Sequence, residues 1–154
     1  MDRATLEQYL RTGDGFVRFL GVEIERFEPE HDELTLKLPY RAQFSRRSDI
    51  GGYHGGVVAA LLDVAGTYTC GMHYGQLGPT INLRVDYLRT PDSCDLYATG
   101  KIIRAGRSVA VVDVSVTDAK GVLYAVGRGN WSAAAARRVK PGDNRPVPDR
   151  TASP

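Results

Sequence analysis

The sequence is short of the residues that metal sites and disulfides are made from: 154 residues hold two cysteines and three histidines. Cys70 and Cys94 have no metal-type spacing and form no disulfide framework. The histidines are scattered, so no metal site is expected. No phosphate-loop motif occurs either. An excess of one charge is also missing. Twenty Lys and Arg against eighteen Asp and Glu leave a formal charge of +2. Basic residues so evenly matched give no electrostatic footprint for a nucleic acid. The longest apolar run, Val57 to Leu62, falls far below the roughly 20 residues of a membrane span. Met1 to Glu7 lack the apolar core of a signal peptide. The expectation is therefore a cytoplasmic chain with neither nucleic acid nor membrane as partner. With 42% apolar and 25% charged residues, this length suits one domain.

What the chain does hold is concentrated between Ile50 and Tyr74. Small and aliphatic residues dominate there, which reads as a helix buried on most sides. From Ile50 to Leu83 the single formally charged side chain, histidines aside, is Asp63. A carboxylate in such a helix is costly unless it meets a cavity, a partner or a reaction. Gly51, Gly52, Gly55 and Gly56 flank Tyr53-His54 at the helix start. The first helical turn has N–H groups without intrahelical acceptors, at the positive end of the dipole. Glycines leave those donors uncovered, so an oxygen gaining negative charge could dock there. Gly55 and Asp63 are eight residues apart, about 12 Å along one helix. If both serve one carbonyl, they must come from two copies of the chain.

Around this stretch, Leu6, Tyr9 and Leu10 repeat at helical spacing between Thr5 and Thr12, with Gly13 as a stop. Phe16, Phe19, Leu20 and Val22 lead into a strand running through Phe27. The polar residues Glu28 to Asp32 form a turn, and Leu34, Leu36 and Leu38 alternate in a second strand. After the helix, Ile81, Leu83, Val85 and Tyr87 share one face of a strand, opposite Thr80, Asn82, Arg84 and Asp86. Leu96–Arg104, Ser108–Thr117 and Val122–Trp131 are three more strands. This order predicts an α+β fold, a curved antiparallel sheet wrapped around one long helix. Three segments follow: an N-terminal helical segment (1–15), the main domain (16–135) and an Arg/Pro-rich tail (136–154).

Several features together resemble the hotdog-fold acyl-CoA thioesterases of the PaaI-like type. They are Gly51, the block His54-Gly55-Gly56, Asp63 nine positions after the histidine, the strand Thr80 to Leu88, and Arg104-Ala105-Gly106-Arg107-Ser108. The resemblance spans Phe16 to Trp131. It implies a homodimer with a continuous sheet, often paired again into a tetramer, with active sites at the dimer interface. It implies Asp63 as nucleophile or general base, the Gly55 amide polarising the thioester carbonyl, and a Thr80 hydroxyl that helps place water. Ser48 occupies a position where many members carry Asn or Gln; its shorter side chain could orient water or the carbonyl. His54 is expected to position the helix start or transfer a proton. Arg84, Arg89, Arg104 and Arg107 are candidates for the CoA phosphates. CoA would be part of the substrate, and no separate cofactor is implied.

Blander readings stand beside these. Asp63 could cap a loop or pair with an arginine across an interface, Thr80 is an ordinary strand former, and surface arginines are commonly just solvated. Tyr53, Tyr68 and Tyr74 suit the core or an interface better than a substrate stack. Two other functions share the fold: a hydroxyacyl-thioester dehydratase, and a non-hydrolytic acyl-CoA binding protein. The His54 and Asp63 spacing follows the thioesterase pattern better than the dehydratase one; Ser48 is the feature that suits a binding protein.

Overall fold

The structure, a computed structural model, describes residues 1–12, 15–47 and 49–133. Gly13, Ser48 and the tail 136–154 lie outside the described residues.

The chain forms α1 (Arg3–Thr12), α2 (Phe16–Leu20), β1 (Glu23–Glu28), β2 (Glu33–Leu38), α3 (Gly55–Tyr74), β3 (Thr80–Tyr87), β4 (Leu96–Ala105), β5 (Val109–Thr117) and β6 (Leu123–Ser132). The six strands make one antiparallel sheet in the order β1-β2-β4-β5-β6-β3. Helix α3 packs on β2, β3, β4, β5 and β6. It is long and apolar enough by composition to cross a bilayer, yet most of it is buried inside the fold. A helix with apolar residues on most faces needs cover on most sides, and a curved sheet supplies it.

The strand pattern follows from side-chain alternation. Leu34, Leu36 and Leu38 are fully buried, and β5 alternates buried and half-buried residues along its whole length. Full burial of each such aliphatic side chain is worth about 1.5–3 kcal/mol. Small residues set how closely helix and sheet approach. The Trp131 ring, completely buried on β6, lies over Gly66 of α3; a Cβ there would sit 2.2 Å from Cζ2. Gly66→Ala must therefore push the indole or the helix away. The expected result is a loss of about 1–3 kcal/mol, read as a lower denaturant midpoint at unchanged slope.

Two local readings are corrected. Phe16–Leu20 is a short helix and not the lead-in to β1. It stops where Gly21 adopts φ 66° and its N–H reaches the Val17 carbonyl at 3.1 Å. In β3 the simple alternation fails at its first residues. Thr80 pairs with Trp131 and Asn82 with Asn130, leaving Ile81 as an extra residue in a bulge. A bulge shifts the parity of every side chain before it. Ile81 is thereby half in solvent, while Leu83 and Val85 pack against the core.

Candidate active site

The site begins in the loop that delivers α3. Gly51 and Gly52 adopt φ of 61° and 71°, a conformation strained for side chains with a Cβ. A Cβ on Gly51 would also meet Ser93 Oγ at 2.7 Å. The loop is tied down on both sides. His54 N–H donates to the Phe44 carbonyl at 2.8 Å, and Tyr53 N–H donates to the Pro91 carbonyl at 3.2 Å. Tyr53 is buried, stacked on Phe44, with its hydroxyl donating to the Cys94 carbonyl at 2.8 Å. Burial holds that phenol well above the usual tyrosine range. Tyr53 and Tyr68 are thus core residues, and the half-buried Tyr74 donates to the Gly106 carbonyl.

His54 caps α3. Its backbone is extended and its Nδ1 accepts the Gly56 N–H at 3.0 Å. With Nδ1 accepting, the neutral imidazole carries its proton on Nε2. This cap satisfies Gly56 and leaves the neighbouring donor open. Among the described residues the Gly55 N–H meets no acceptor. The Gly55 carbonyl, in contrast, accepts from the Tyr87 hydroxyl at 3.0 Å, a tie from β3 that sequence reading did not foresee. The helix start borders a hollow of about 510 Å³, which also meets Arg46, Tyr87, Leu88 and Arg89. Neither Asp63 nor Thr80 borders it.

Asp63 lies two turns along the same unbroken helix, half-buried. Eight residues at 1.5 Å each put it about 12 Å from Gly55 along the axis. Its Oδ1 accepts the Thr80 hydroxyl at 2.6 Å. The bulge at Ile81 makes this contact possible, because it brings Thr80 onto the helix side of β3. Among the described residues Asp63 has no cationic partner. Within one chain, the described residues tie this carboxylate to a hydroxyl and not to a guanidinium. Oδ1 is oriented by a hydroxyl, and Oδ2 is left for another donor. One turn further on, Thr67 Oγ1 accepts the Trp131 indole N–H at 2.9 Å. That bond leaves the Thr67 hydroxyl proton free on the face that carries Asp63. The i, i+4 spacing from Asp63 was the available signal for it.

The candidate arginines separate. Arg89 borders the hollow with Gly55. Arg84 is exposed and paired with Asp86 at 3.1 Å, in a groove that Asp113 and Arg128 also line. Arg104 and Arg107 flank the β4–β5 turn, where Gly106 meets Tyr74 at the far end of α3. That end is about 28 Å of helix away from Gly55.

A six-stranded antiparallel sheet curled around one long helix, with the carboxylate mid-helix and an open N–H at its start, is the hotdog architecture. The Thioesterase superfamily profile matches residues 51–125. The medium/long-chain acyl-CoA thioesterase YigI of Escherichia coli K12 is 34% identical over 140 residues, covering 73% of this chain and 85% of that protein. Zebrafish thioesterase superfamily member 2 superposes with a TM-score of 0.77 at 25% identity, over 86% of this chain and 99% of that one. The PaaI protein of Escherichia coli shares the fold, with a TM-score of 0.72 at 21% identity over 84% and 91% of the two chains. The chain belongs to the thioesterase superfamily.

Proposed function

We propose that the protein is an acyl-CoA thioesterase, hydrolysing a small or medium acyl-CoA, aromatic acyl groups included, to the free acid and CoA. The observation that carries this reading is the Asp63 carboxylate, set in a buried helix with a hydroxyl for its partner and, among the described residues, no cation. A carboxylate held that way is oriented without being neutralised, which suits a base or a nucleophile. The name of the 34%-identical relative supports CoA esters as the substrate class.

In the simplest sequence, the thioester oxygen accepts the open Gly55 N–H, and Asp63 takes a proton from a water that adds to the carbonyl carbon. The negative charge then gathers on the oxygen at Gly55, where the helix start stabilises it. Collapse of the tetrahedral intermediate breaks the C–S bond. The thiolate takes the proton from Asp63, releasing acid and CoA. Direct attack by Asp63, followed by hydrolysis of the anhydride, uses the same groups. Thr80 orients the carboxylate by its donated proton and keeps lone pairs for the water.

The separation along α3 requires Gly55 from one subunit and Asp63 from another. Strand β3 supports a two-fold partner there: it is an edge of the sheet, and Ile81, Tyr87 and Leu88 on and beside it are more than half exposed. A second β3 would pair the open edge and bring each Asp63 towards the other subunit's helix start. Arg89, which borders the hollow with Gly55, is the candidate arginine that this reading assigns to CoA.

A panel of acyl-CoA esters assayed for free thiol tests the reading. Stoichiometric thiol and acid are expected from at least one short or medium acyl group. Hydration of an enoyl ester without thiol release would identify a dehydratase. Binding with neither reaction would identify an acyl-CoA binding protein.

A further inference from the structure

Strand β3 touches both halves of the proposed chemistry, one at each end. Its first residue, Thr80, donates to Asp63 Oδ1 at 2.6 Å, and its last, Tyr87, donates to the Gly55 carbonyl at 3.0 Å. Residues an odd number of positions apart on a regular strand point to opposite faces. The bulge at Ile81 removes that conflict. Thr80 pairs with Trp131 and Tyr87 with Ala125, both buried residues of β6, so the two hydroxyl side chains lie on the helix side.

The open donor at Gly55 sits beside a joint between two peptide planes, and glycine lets such planes rotate freely. The plane that carries the Gly55 N–H is held through its carbonyl. That His54 carbonyl accepts the Val57 and Val58 N–H groups at 2.9 and 3.4 Å. The next plane is held at both ends: its N–H, on Gly56, donates to His54 Nδ1 at 3.0 Å, and its carbonyl accepts from Tyr87. Without the phenol this plane keeps the bond to His54, a neighbour that can turn with it. Tyr87 is the tie that fastens the peptide to the sheet. Its ring is 55% exposed, among the residues assigned above to the subunit contact. Tyr87→Phe keeps that ring and removes the hydroxyl alone.

We propose that Tyr87 is a positioning residue: its hydroxyl fixes the Gly55–Gly56 peptide and so keeps the Gly55 N–H aimed at the oxygen that gains charge. The proposal rests on the thioester reading above and names what preorganises its oxyanion donor. Tyr87 and Gly55 both border the hollow, so a bound substrate sheds water from their bond and strengthens it. Thr80 orients Asp63 from the other end of the same strand. Each shared site then takes Tyr87 with Gly55 from one chain and Thr80 with Asp63 from the other.

Tyr87→Phe should lower kcat about tenfold, the size of one hydrogen bond, with KM within about twofold of wild type. Parallel falls in kcat and kcat/KM mark an interaction realised in the transition state. In Gly55→Pro, which has no N–H to aim, the same substitution should cost nothing further. A raised KM at unchanged kcat would make Tyr87 a substrate contact. An equal fall in the Gly55→Pro background would place its effect elsewhere. Either result overturns the proposal. Amide hydrogen exchange gives a readout independent of turnover. Gly56, Val57 and Val58 should exchange about tenfold faster in Tyr87→Phe, with β5 and β6 unchanged. Equal exchange in the two proteins overturns the positioning role. If wild type releases no thiol from any acyl-CoA, the thioesterase reading fails separately. The exchange rates then decide alone: faster exchange confined to that turn upholds Tyr87 as the residue that holds the helix start.

Discussion

Asp63→Asn should lose at least about a hundredfold in kcat, within the 10²–10⁴ range for removal of a positioned acid–base group. The substitution is close to isosteric, and the Thr80 hydroxyl, 2.6 Å from Oδ1, can still donate to an amide oxygen. The folded state should therefore survive, with an unchanged circular dichroism spectrum and a thermal midpoint near wild type. What disappears is the basic oxygen left free by that bond. An amide neither deprotonates water nor attacks a thioester at a useful rate. Asp63→Ala is the poorer variant, because it also empties space beside Thr80. Near wild-type turnover in folded Asp63→Asn would remove Asp63 from the mechanism.

Mixing two inactive proteins should restore about a quarter of wild-type activity. The partner for Asp63→Asn is Gly55→Pro, which deletes the N–H proposed to hold the oxyanion. Proline suits this position on three counts. Gly55 is the first residue of α3, where proline is well tolerated. His54, at φ −68° and ψ 134°, already has the extended backbone that precedes proline. A Cβ on Gly55 would meet the Tyr87 ring at 3.6 Å, an ordinary contact. Each variant alone has a defect in both sites of its homodimer. In a mixed dimer one site collects both defects and the other collects neither, by the symmetry of an isologous pair. Random exchange makes half of the dimers mixed, with one intact site of two in each. No recovery, with mixed dimers verified by native mass spectrometry, would show that each subunit carries a complete site of its own.

The parts of the site that were legible in the sequence are those set by local chemistry. Asp63 stood out as the lone charge in an apolar stretch, and the glycines around His54 marked an uncovered helix start. Both features survive in the structure because a helix keeps its residues in fixed relation whatever packs on it. The two groups are far apart for the same reason, since a rise per residue is a property of the backbone. The alternating leucines of β2 and the valines of β5 were legible on the same ground.

What lay beyond the sequence depends on register and on meetings between distant segments. Strict alternation placed Thr80 on the face opposite Leu83. The one-residue bulge at Ile81 reversed that, and the reversal is what lets Thr80 reach Asp63, 17 residues earlier in the chain. Tyr87 on the Gly55 carbonyl, Thr67 under the Trp131 indole, and Arg46 beside Arg89 likewise join residues from separate elements. Periodicity tells which face a residue takes within its own element. It carries no term for where a sheet bulges or which loops are stitched together, because those follow from packing the whole chain at once. The sequence by itself determined the helix, its acid, its open start and the family. The tertiary structure alone decided which hydroxyl orients that acid and which arginines share the hollow at the helix start.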